Sequence, residues 1–173
     1  KTACLIALLG AIPRAALAAD LPAGDCKRPA ARTDLSACDW SRAKLAGKDL
    51  RGARFAGARM ENADFRKARL DEADFRGSNV KWGNFSKASL KAADFRNADL
   101  FHAIFDEADV SDGRFGGANL FGANLINTRA VRTDFAGAQL KDILMEGIDL
   151  SGGSMRGCYA FRGVLSGARL VGT

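Results

Sequence analysis

Large apolar residues recur along this chain at every fifth position. From Leu35 to Leu170 the series has 28 members, of which 26 are Leu, Phe, Val, Met or Trp, and no insertion breaks it. The two exceptions are Ala130 and Ala160. A period of five fits neither an α-helix, with about 3.6 residues per turn, nor a plain strand, which alternates every two residues. The pattern therefore indicates a chain that runs extended for three residues and then turns a corner.

Each five-residue unit has inward, outward and turning positions. The residue two places before each large one is Ala in 15 units and mostly small in the others. Because strand side chains alternate, these two residues face inward, and the residue between them, most often Asp, Asn or Arg, faces outward. The second corner residue is Gly in 12 units. Since Gly tolerates the positive φ of a type II turn, we expect type II corners there, and type I-like corners where a unit ends in Lys, Glu or Arg.

The repeated unit resembles that of a known family. Stretches such as Ala63-Asp64-Phe65 and Ala98-Asp99-Leu100 show the form A-[DN]-[LF]-x-x, and on these units the chain is similar to the pentapeptide-repeat family over about 140 of its 173 residues. The resemblance implies an all-β fold, a right-handed quadrilateral parallel β-helix with four units in each 20-residue coil. At ~4.8 Å per coil, about seven four-sided coils form a rod ~34 Å long.

The placement of Phe supports a coil of 20 residues. All eight Phe residues at central positions fall on alternate units, so a 20-residue coil stacks them in two interior rows on opposite faces: Phe55, Phe75, Phe95, Phe115 and Phe135 in one, and Phe65, Phe85 and Phe105 in the other. Two wide aromatic rows and two narrower aliphatic rows fill a square interior. Because Ala130 and Ala160 are small, and Ile143 and Ile148 occupy small positions, we expect the last two coils to be the least regular.

The first 18 residues have a different composition from the repeats. Lys1 precedes an apolar stretch over residues 3–12, and an A-x-A site lies at residues 16–18. This pattern is typical of a secretory signal peptide, so we expect cleavage after Ala18 or Ala19 and a periplasmic or secreted protein without a membrane span in its mature chain. The alternatives are a short buried helix or an uncleaved anchor. Residues 19–34 are then an N-terminal cap, and residues 35–173 are the β-helix.

Three cysteines follow the predicted signal peptide. Export would place Cys26, Cys38 and Cys158 in an oxidising compartment. A Cys26–Cys38 disulfide would close a loop of about a dozen residues and contribute ~3 kcal/mol. Cys158 lies about six coils from Cys38, beyond the ~7 Å limit for a disulfide, and its inward position favours a role as core filler. Because no Cys or His spacing matches a metal site, we expect no metal and no cofactor.

The polar residues do not suggest catalysis. The single histidine, His102, is at a turn position, and the carboxylates are spread along the rod with Arg and Lys near them. A catalytic site needs a nucleophile, base or metal ligand held by its neighbours, so we predict that the protein is not an enzyme. We expect instead an exported structural or protein-interaction module that presents a rigid rod.

The resemblance implies one alternative function. The best-known activity of the family is protection of DNA gyrase by members that imitate duplex DNA, which requires a strongly acidic surface. After removal of the signal peptide this chain has 24 Lys and Arg against 20 Asp and Glu. The positive charge and the predicted export both disfavour a cytoplasmic gyrase-protecting or DNA-mimic inhibitor. Nucleic-acid binding is also not expected, because Arg and Asp alternate and no dense basic cluster appears.

Apolar residues also align on the outside when the sequence is folded at 20 residues per coil. We call this row the apolar stripe, and it follows one corner at turn and outward strand positions: Trp82, Phe101, His102, Ile104, Phe121, Leu144, Phe161 and Val164. Lys141 interrupts the row. A contiguous exposed apolar patch usually marks an interface, so the stripe predicts binding of an unidentified protein partner or of a second copy.

Three alternatives to this interpretation remain at the level of sequence. The cap or a tail covers the stripe, or its rings fold over the corner. A homodimer also has a second route, because the edge of the C-terminal coil offers unpaired strand groups to another chain.

Overall fold

The computed structural model of the protein describes residues 21–173, so the predicted signal peptide at residues 1–18 lies outside the described residues. Between residues 21 and 173 the backbone has no helix, and hence none that could cross a membrane, and each strand is a single bridged residue. Parallel bridges join each outward residue to the residue 20 positions later, from Asp34↔Arg54 to Asp149↔Arg169. Four bridges and four turns alternate in each 20 residues, which confirms the predicted coil length.

Backbone hydrogen bonds tie every coil to the coils on either side. Phe75 N–H donates to the Asp94 carbonyl oxygen of the next coil over 2.8 Å, and Asp94 N–H donates back to the Ala73 oxygen over 3.0 Å. Within a unit, Ser78 N–H donates to the Phe75 oxygen over 3.1 Å and closes the corner. This pattern repeats along the rod and pairs most backbone polar groups with each other, while the N–H of the first corner residue often donates to the Asp or Asn side chain two residues earlier, as Arg76 N–H does to Asp74.

The interior contains the two predicted rows of Phe. In the five-member row, successive ring centroids lie 4.6–5.1 Å apart, and in the three-member row they lie 4.8 and 4.9 Å apart. Rings of different rows meet edge to face, as Phe85 and Phe95 do at 5.7 Å. All eight rings are fully buried. Stacked contacts along the rod and edge contacts across it are both favourable geometries for aromatic pairs.

The last two coils keep the register of the rest. The bridges Leu144↔Val164 and Asp149↔Arg169 follow the same 20-residue step, and Ile143, Ile148 and Ala130 are fully buried. The expectation of irregular final coils is therefore wrong for the register, although the hydrogen bonds that close the corners lengthen there, to 3.3 Å at Cys158 and 3.4 Å at Thr173. The physical reason is that backbone bonds between coils set the pitch, and they do not depend on the inward side chain. Leu170 and Val171 are exposed because the last coil packs on one side only.

All corners from residue 42 to residue 172 adopt one conformation. The second corner residue has positive φ throughout, including at Lys67 (58°), Glu72 (62°) and Arg132 (56°). The prediction of type I-like corners at Lys, Glu and Arg is therefore wrong. Lys67 N–H shows why, because it donates to the Ser86 carbonyl oxygen of the next coil over 3.0 Å. Stacking imposes the corner on any residue, at ~1–2 kcal/mol for a side chain in the left-handed region.

Replacement of Lys67 by Gly tests whether its positive φ is strained. Lys67→Gly should raise the free energy of unfolding by ~1 kcal/mol, because Gly adopts positive φ without the steric cost of a Cβ atom. Lys67→Ala is the matched control, since it removes the same charge and keeps the strain. Urea denaturation followed by circular dichroism measures both. A Gly variant no more stable than the Ala variant would contradict the strain argument.

Ionic side chains reinforce the corners in two ways. Some pairs join the strained positions of successive coils, as Arg132 does with Asp112 over 2.7 Å. Others clamp a corner within one unit, where an Arg donates through both Nε and Nη2 to the carboxylate two residues earlier. Among residues 21–173 this second arrangement occurs four times, in the pairs Asp49–Arg51, Asp64–Arg66, Asp74–Arg76 and Asp94–Arg96. Bidentate pairs of this kind fix geometry as well as charge.

These clamps predict the acid sensitivity of the rod. The hydrogen bond from Arg51 lowers the pKa of Asp49 to about 2, and the bond from Arg66 lowers the pKa of Asp64. A depressed pKa gives stability that is present above the unfolded value of about 3.9 and is lost as pH falls toward about 2. Thermal melts should therefore show a constant melting temperature from pH 8 to 5 and a fall below pH 4. Asp49→Asn/Asp64→Asn should flatten this fall, whereas an unchanged slope would contradict the assignment.

Residues 21–34 pair with the first coil. Arg32 N–H donates to the Arg51 carbonyl oxygen over 2.9 Å and Asp34 bridges Arg54, so this segment pairs with the exposed edge of the coil. Cys26 and Cys38 form a disulfide with Cα atoms 5.7 Å apart, which ties the segment to the rod. Cys158 is partly exposed in the last coil, and burial raises the pKa of its thiol. Its thiolate is therefore scarce at neutral pH.

Candidate functional site

The apolar stripe begins with two corners of identical construction. Phe101 N–H donates to Asp99 Oδ1 over 3.3 Å, and Phe121 N–H donates to Asn119 Oδ1 over 3.2 Å. Asn119 Nδ2 also donates to Asp99 Oδ1 over 3.0 Å, which links the two coils. Asp and Asn commonly accept from the backbone N–H two residues later in this way. The turn therefore places both Phe rings at the same point on successive coils.

The rings of the stripe form a continuous chain of contacts. Phe101 and Phe121 stack with centroids 5.3 Å apart and planes 13° from parallel. Trp82 meets Phe101 edge to face at 5.6 Å, and Lys141 Nζ lies 5.3 Å from the centroid of Phe121. Lys141 interrupts the stripe in sequence but extends the chain in space, because an ammonium group over a ring face is an attractive contact.

His102 belongs to this chain through a gap left by a glycine. Its ring centroid lies 4.4 Å from that of Phe101 and 6.0 Å from that of Phe121. A Cβ atom at Gly122 would lie 2.5 Å from His102 Cε1. Gly122 is therefore needed for the imidazole to lie over the next corner, in addition to its positive φ of 64°. His102 itself is exposed.

The stripe is open to solvent. Trp82 is 45% exposed and Phe161 is 53% exposed, while Phe101 and Phe121 are half-buried against each other. The rings stay outside the rod. Residues 21–34 pair with the first coil and leave Trp82 exposed, so in the described part of the chain the cap does not cover the stripe.

The structure does not join all predicted members of the stripe into one patch. Ile104, Leu144 and Val164 occupy one outward row, but Asn124 stands between the first two in consecutive bridges. Phe161 lies at the last coil, where its contacts are the guanidinium of Arg162 at 5.6 Å and the ring of Tyr159 at 6.4 Å. A central patch from Trp82 to Lys141 and a C-terminal patch around Phe161 are therefore distinct.

Sequence reasoning missed two contributors to these patches. Tyr159 is an outward strand residue in the row that borders the stripe, so folding the sequence at 20 residues per coil would have found it. The role of Gly122 depends on the position of the His102 ring, for which the sequence contains no signal.

Charge is distributed unevenly around the rod. The ten outward strand residues beside the stripe from Asn79 to Val164 include one charged residue, Asp99, whereas the ten on the opposite side from Asp74 to Arg169 include eight. Interfaces between proteins are depleted in charge at their core and enriched in aromatic residues. This side of the rod thus has the composition of a binding surface. Residues 21–173 contain no group of three or more His, Cys, Asp or Glu arranged to hold a metal ion.

Comparisons with solved structures give related proteins of the same repeat type. A pentapeptide repeat protein from the thylakoid lumen of Arabidopsis thaliana is 34% identical, with a TM-score of 0.57, over 57% of this chain and 69% of that one. HetL, a pentapeptide repeat protein involved in heterocyst differentiation regulation in the cyanobacterium Nostoc, is 26% identical, with a TM-score of 0.46, over 79% of this chain and 67% of that one.

The plasmid-mediated fluoroquinolone resistance protein QnrB1 is 21% identical, with a TM-score of 0.44, over 77% of each chain. No curated protein matches the chain. Two family descriptions match its sequence, the pentapeptide repeat region over residues 48–125 and pentapeptide repeats in eight copies over residues 114–152. Together with the repeated corners and 20-residue coils, these matches show that the chain belongs to the pentapeptide repeat family.

Proposed function

We propose that this protein is an exported, non-catalytic interaction module, a right-handed quadrilateral rod of about seven coils whose apolar stripe binds a protein partner. The observation that carries the proposal is the unbroken contact chain from Trp82 through Phe101 and Phe121 to Lys141, exposed on the side of the rod that is poor in charge.

The stripe has the physical properties of a binding surface. Aromatic rings supply large apolar area, and their stacking on fixed corners leaves little side-chain freedom to lose when a partner binds. Backbone bonds between coils hold the corners, so the surface is ordered before binding. The two outward rows that flank the stripe contain one charged residue between Asn79 and Val164, so few charges in these rows need to be dehydrated.

Two observations support export. Cys26 and Cys38 form a disulfide. Disulfides persist in oxidising compartments and are rare in cytosolic proteins. The thylakoid-lumen relative shows that a related rod exists outside the cytosol and stroma. Mass spectrometry of the mature protein should find an N-terminus at Ala19 or Asp20. A mature chain that keeps Lys1 would contradict export through a cleaved signal peptide.

The binding function is tested by capture of partners from the exporting compartment. Phe101→Ser/Phe121→Ser should lose the partners that the parent protein retains, with its circular dichroism spectrum unchanged. Ile126→Ser/Val131→Ser is the matched control, because these two residues hold the same turn position on the other corners of the same coil. If the stripe variant retains every partner of the parent protein, the proposal is wrong.

A further inference from the structure

We propose that the apolar stripe is the contact face of an antiparallel homodimer, with its twofold axis at the coil of Phe121. This inference rests on the proposed function, since it names a second copy of the chain as the occupant of the same surface. It follows from the order of side chains along the corner. When a second copy is turned end to end, its corner residues are complementary to those of the first copy.

The corner residues show this complementarity. In each coil two residues occupy the corner. A twofold axis that crosses the rod at the coil of Phe121 places the preceding coil of one chain opposite the following coil of the second copy, and each corner residue faces the residue at the same corner position. Phe101 then faces Lys141 of the second copy, and His102 faces Asp142. Lys141 already lies over one Phe ring within its own chain, so the same contact across the axis is chemically familiar.

One coil further from the axis the same rule holds. Trp82 faces Arg162 of the second copy, and Lys81 faces Phe161. Arg162 is already placed against an aromatic ring in its own chain, at 5.6 Å from the Phe161 centroid. Apart from Phe121, which meets itself at the axis, each Phe or Trp ring of the corner thus faces a cation, and such contacts strengthen as water is excluded.

The outward row beside the corner obeys the same symmetry. Reversal about the coil of Phe121 sets Ile104 against Leu144, and Asn124 against Asn124 of the second copy. An amide pairs with its own copy because it carries both donors and an acceptor. Asn124, which divides the apolar row in one chain, therefore lies where a twofold axis needs a self-complementary group.

The outward rows favour the antiparallel arrangement over a parallel one. In a parallel pair the twofold axis would run along the corner and exchange its two flanks, so Ile104 would face Asp99 of the second copy and Leu144 would face Gln139. In the antiparallel pair Ile104 faces Leu144, so the apolar row packs on itself, as an isologous interface requires. At the far rim Asp106 comes opposite Glu146, where solvent and salt screen the two carboxylates.

The size of the proposed contact face determines the affinity expected for the dimer. Five coils at ~4.8 Å span ~20–24 Å, which places the contact at the lower end of specific interfaces. Sedimentation velocity of the mature protein between ~1 and ~500 µM should therefore show a monomer that converts to a dimer as concentration rises. Phe101→Ser/Phe121→Ser should raise the dissociation constant at least ~10-fold, and Val131→Ser, on the corner diagonally opposite the stripe, should leave it unchanged.

Cysteine cross-linking tests the register. In a Cys158→Ala background, Asn124→Cys should cross-link to itself, and Ile104→Cys should cross-link to Leu144→Cys. Ile104→Cys alone should not cross-link, because its two copies are two coils, ~10 Å, apart and a disulfide needs Cα atoms within ~7 Å. Thermal melts of each variant confirm that the rod is folded.

Several outcomes would overturn the inference. A protein that is monomeric at all concentrations would do so. A dimer whose dissociation constant rises with Val171→Ser in the last coil, but does not change with Phe101→Ser/Phe121→Ser, would also do so. Self-cross-linking of Ile104→Cys without Asn124→Cys would exclude the axis. If the protein stays monomeric while the stripe variant still loses captured partners, the homodimer is wrong and the proposed function stands. If neither dimer nor partners respond to the stripe variant, both are wrong.

Discussion

Replacing Phe95 with Ala is expected to lower the free energy of unfolding by ~3–5 kcal/mol. Phe95 is fully buried at the middle of its row, with ring centroids 4.6 Å from Phe75 and 4.9 Å from Phe115. It also meets Phe85 and Phe105 edge to face. Truncation leaves a cavity between coils that backbone bonds hold at a fixed pitch, so the neighbours cannot close it.

The matched control is Phe101, which lies six residues later on the outside of the rod. Phe101→Ala should cost less than ~1 kcal/mol, because the ring is half-buried and leaves no cavity inside the coils. Urea denaturation measures both variants, and Phe95→Leu, with an expected cost near ~1.5 kcal/mol, serves if the Ala variant does not fold. Equal losses at the two positions would contradict the assignment of inside and outside.

The second large effect is expected from the disulfide. Cys26→Ala/Cys38→Ala should lower the free energy of unfolding by ~2–4 kcal/mol, because the unfolded chain regains the entropy of an open loop and residues 21–34 are no longer tied to the first coil. Reduction of the parent protein with dithiothreitol should produce the same loss. Cys158→Ala is the control and should change stability little. A reduced protein as stable as the oxidised one would refute this role.

The period of five and the rows of Phe made the coil predictable from sequence. Inward residues at every fifth position leave one arrangement that buries them all, and the alternation of Phe75 with Phe65 and Phe85 sets four units per coil. The backbone bonds between coils then follow from the coil length. Prediction therefore succeeded where burial alone decides the structure.

Prediction failed at the corners because a cooperative constraint outweighs local preference. Lys67 and Glu72 taken alone favour a conformation without positive φ, but both adopt positive φ and donate their N–H to a carbonyl oxygen of the next coil. The candidate site was predicted in part for a related reason. The alignment of Phe101 over Phe121 follows from the coil length. The position of the His102 ring over Gly122 depends on the side-chain rotamer of His102, which the sequence does not determine.

The proposed function requires that the apolar stripe become buried in a complex while the interior of the rod stays unchanged. The two tryptophans separate these regions, since Trp40 is 4% exposed inside the first coil and Trp82 is 45% exposed in the stripe. In protein labelled with 5-fluorotryptophan, ¹⁹F NMR gives one signal for each, and Trp82→Phe assigns them. The Trp82 signal should shift as concentration rises from ~1 to ~500 µM, or on addition of a captured partner, while the Trp40 signal stays fixed. A Trp82 signal that moves in neither experiment would contradict burial of the stripe.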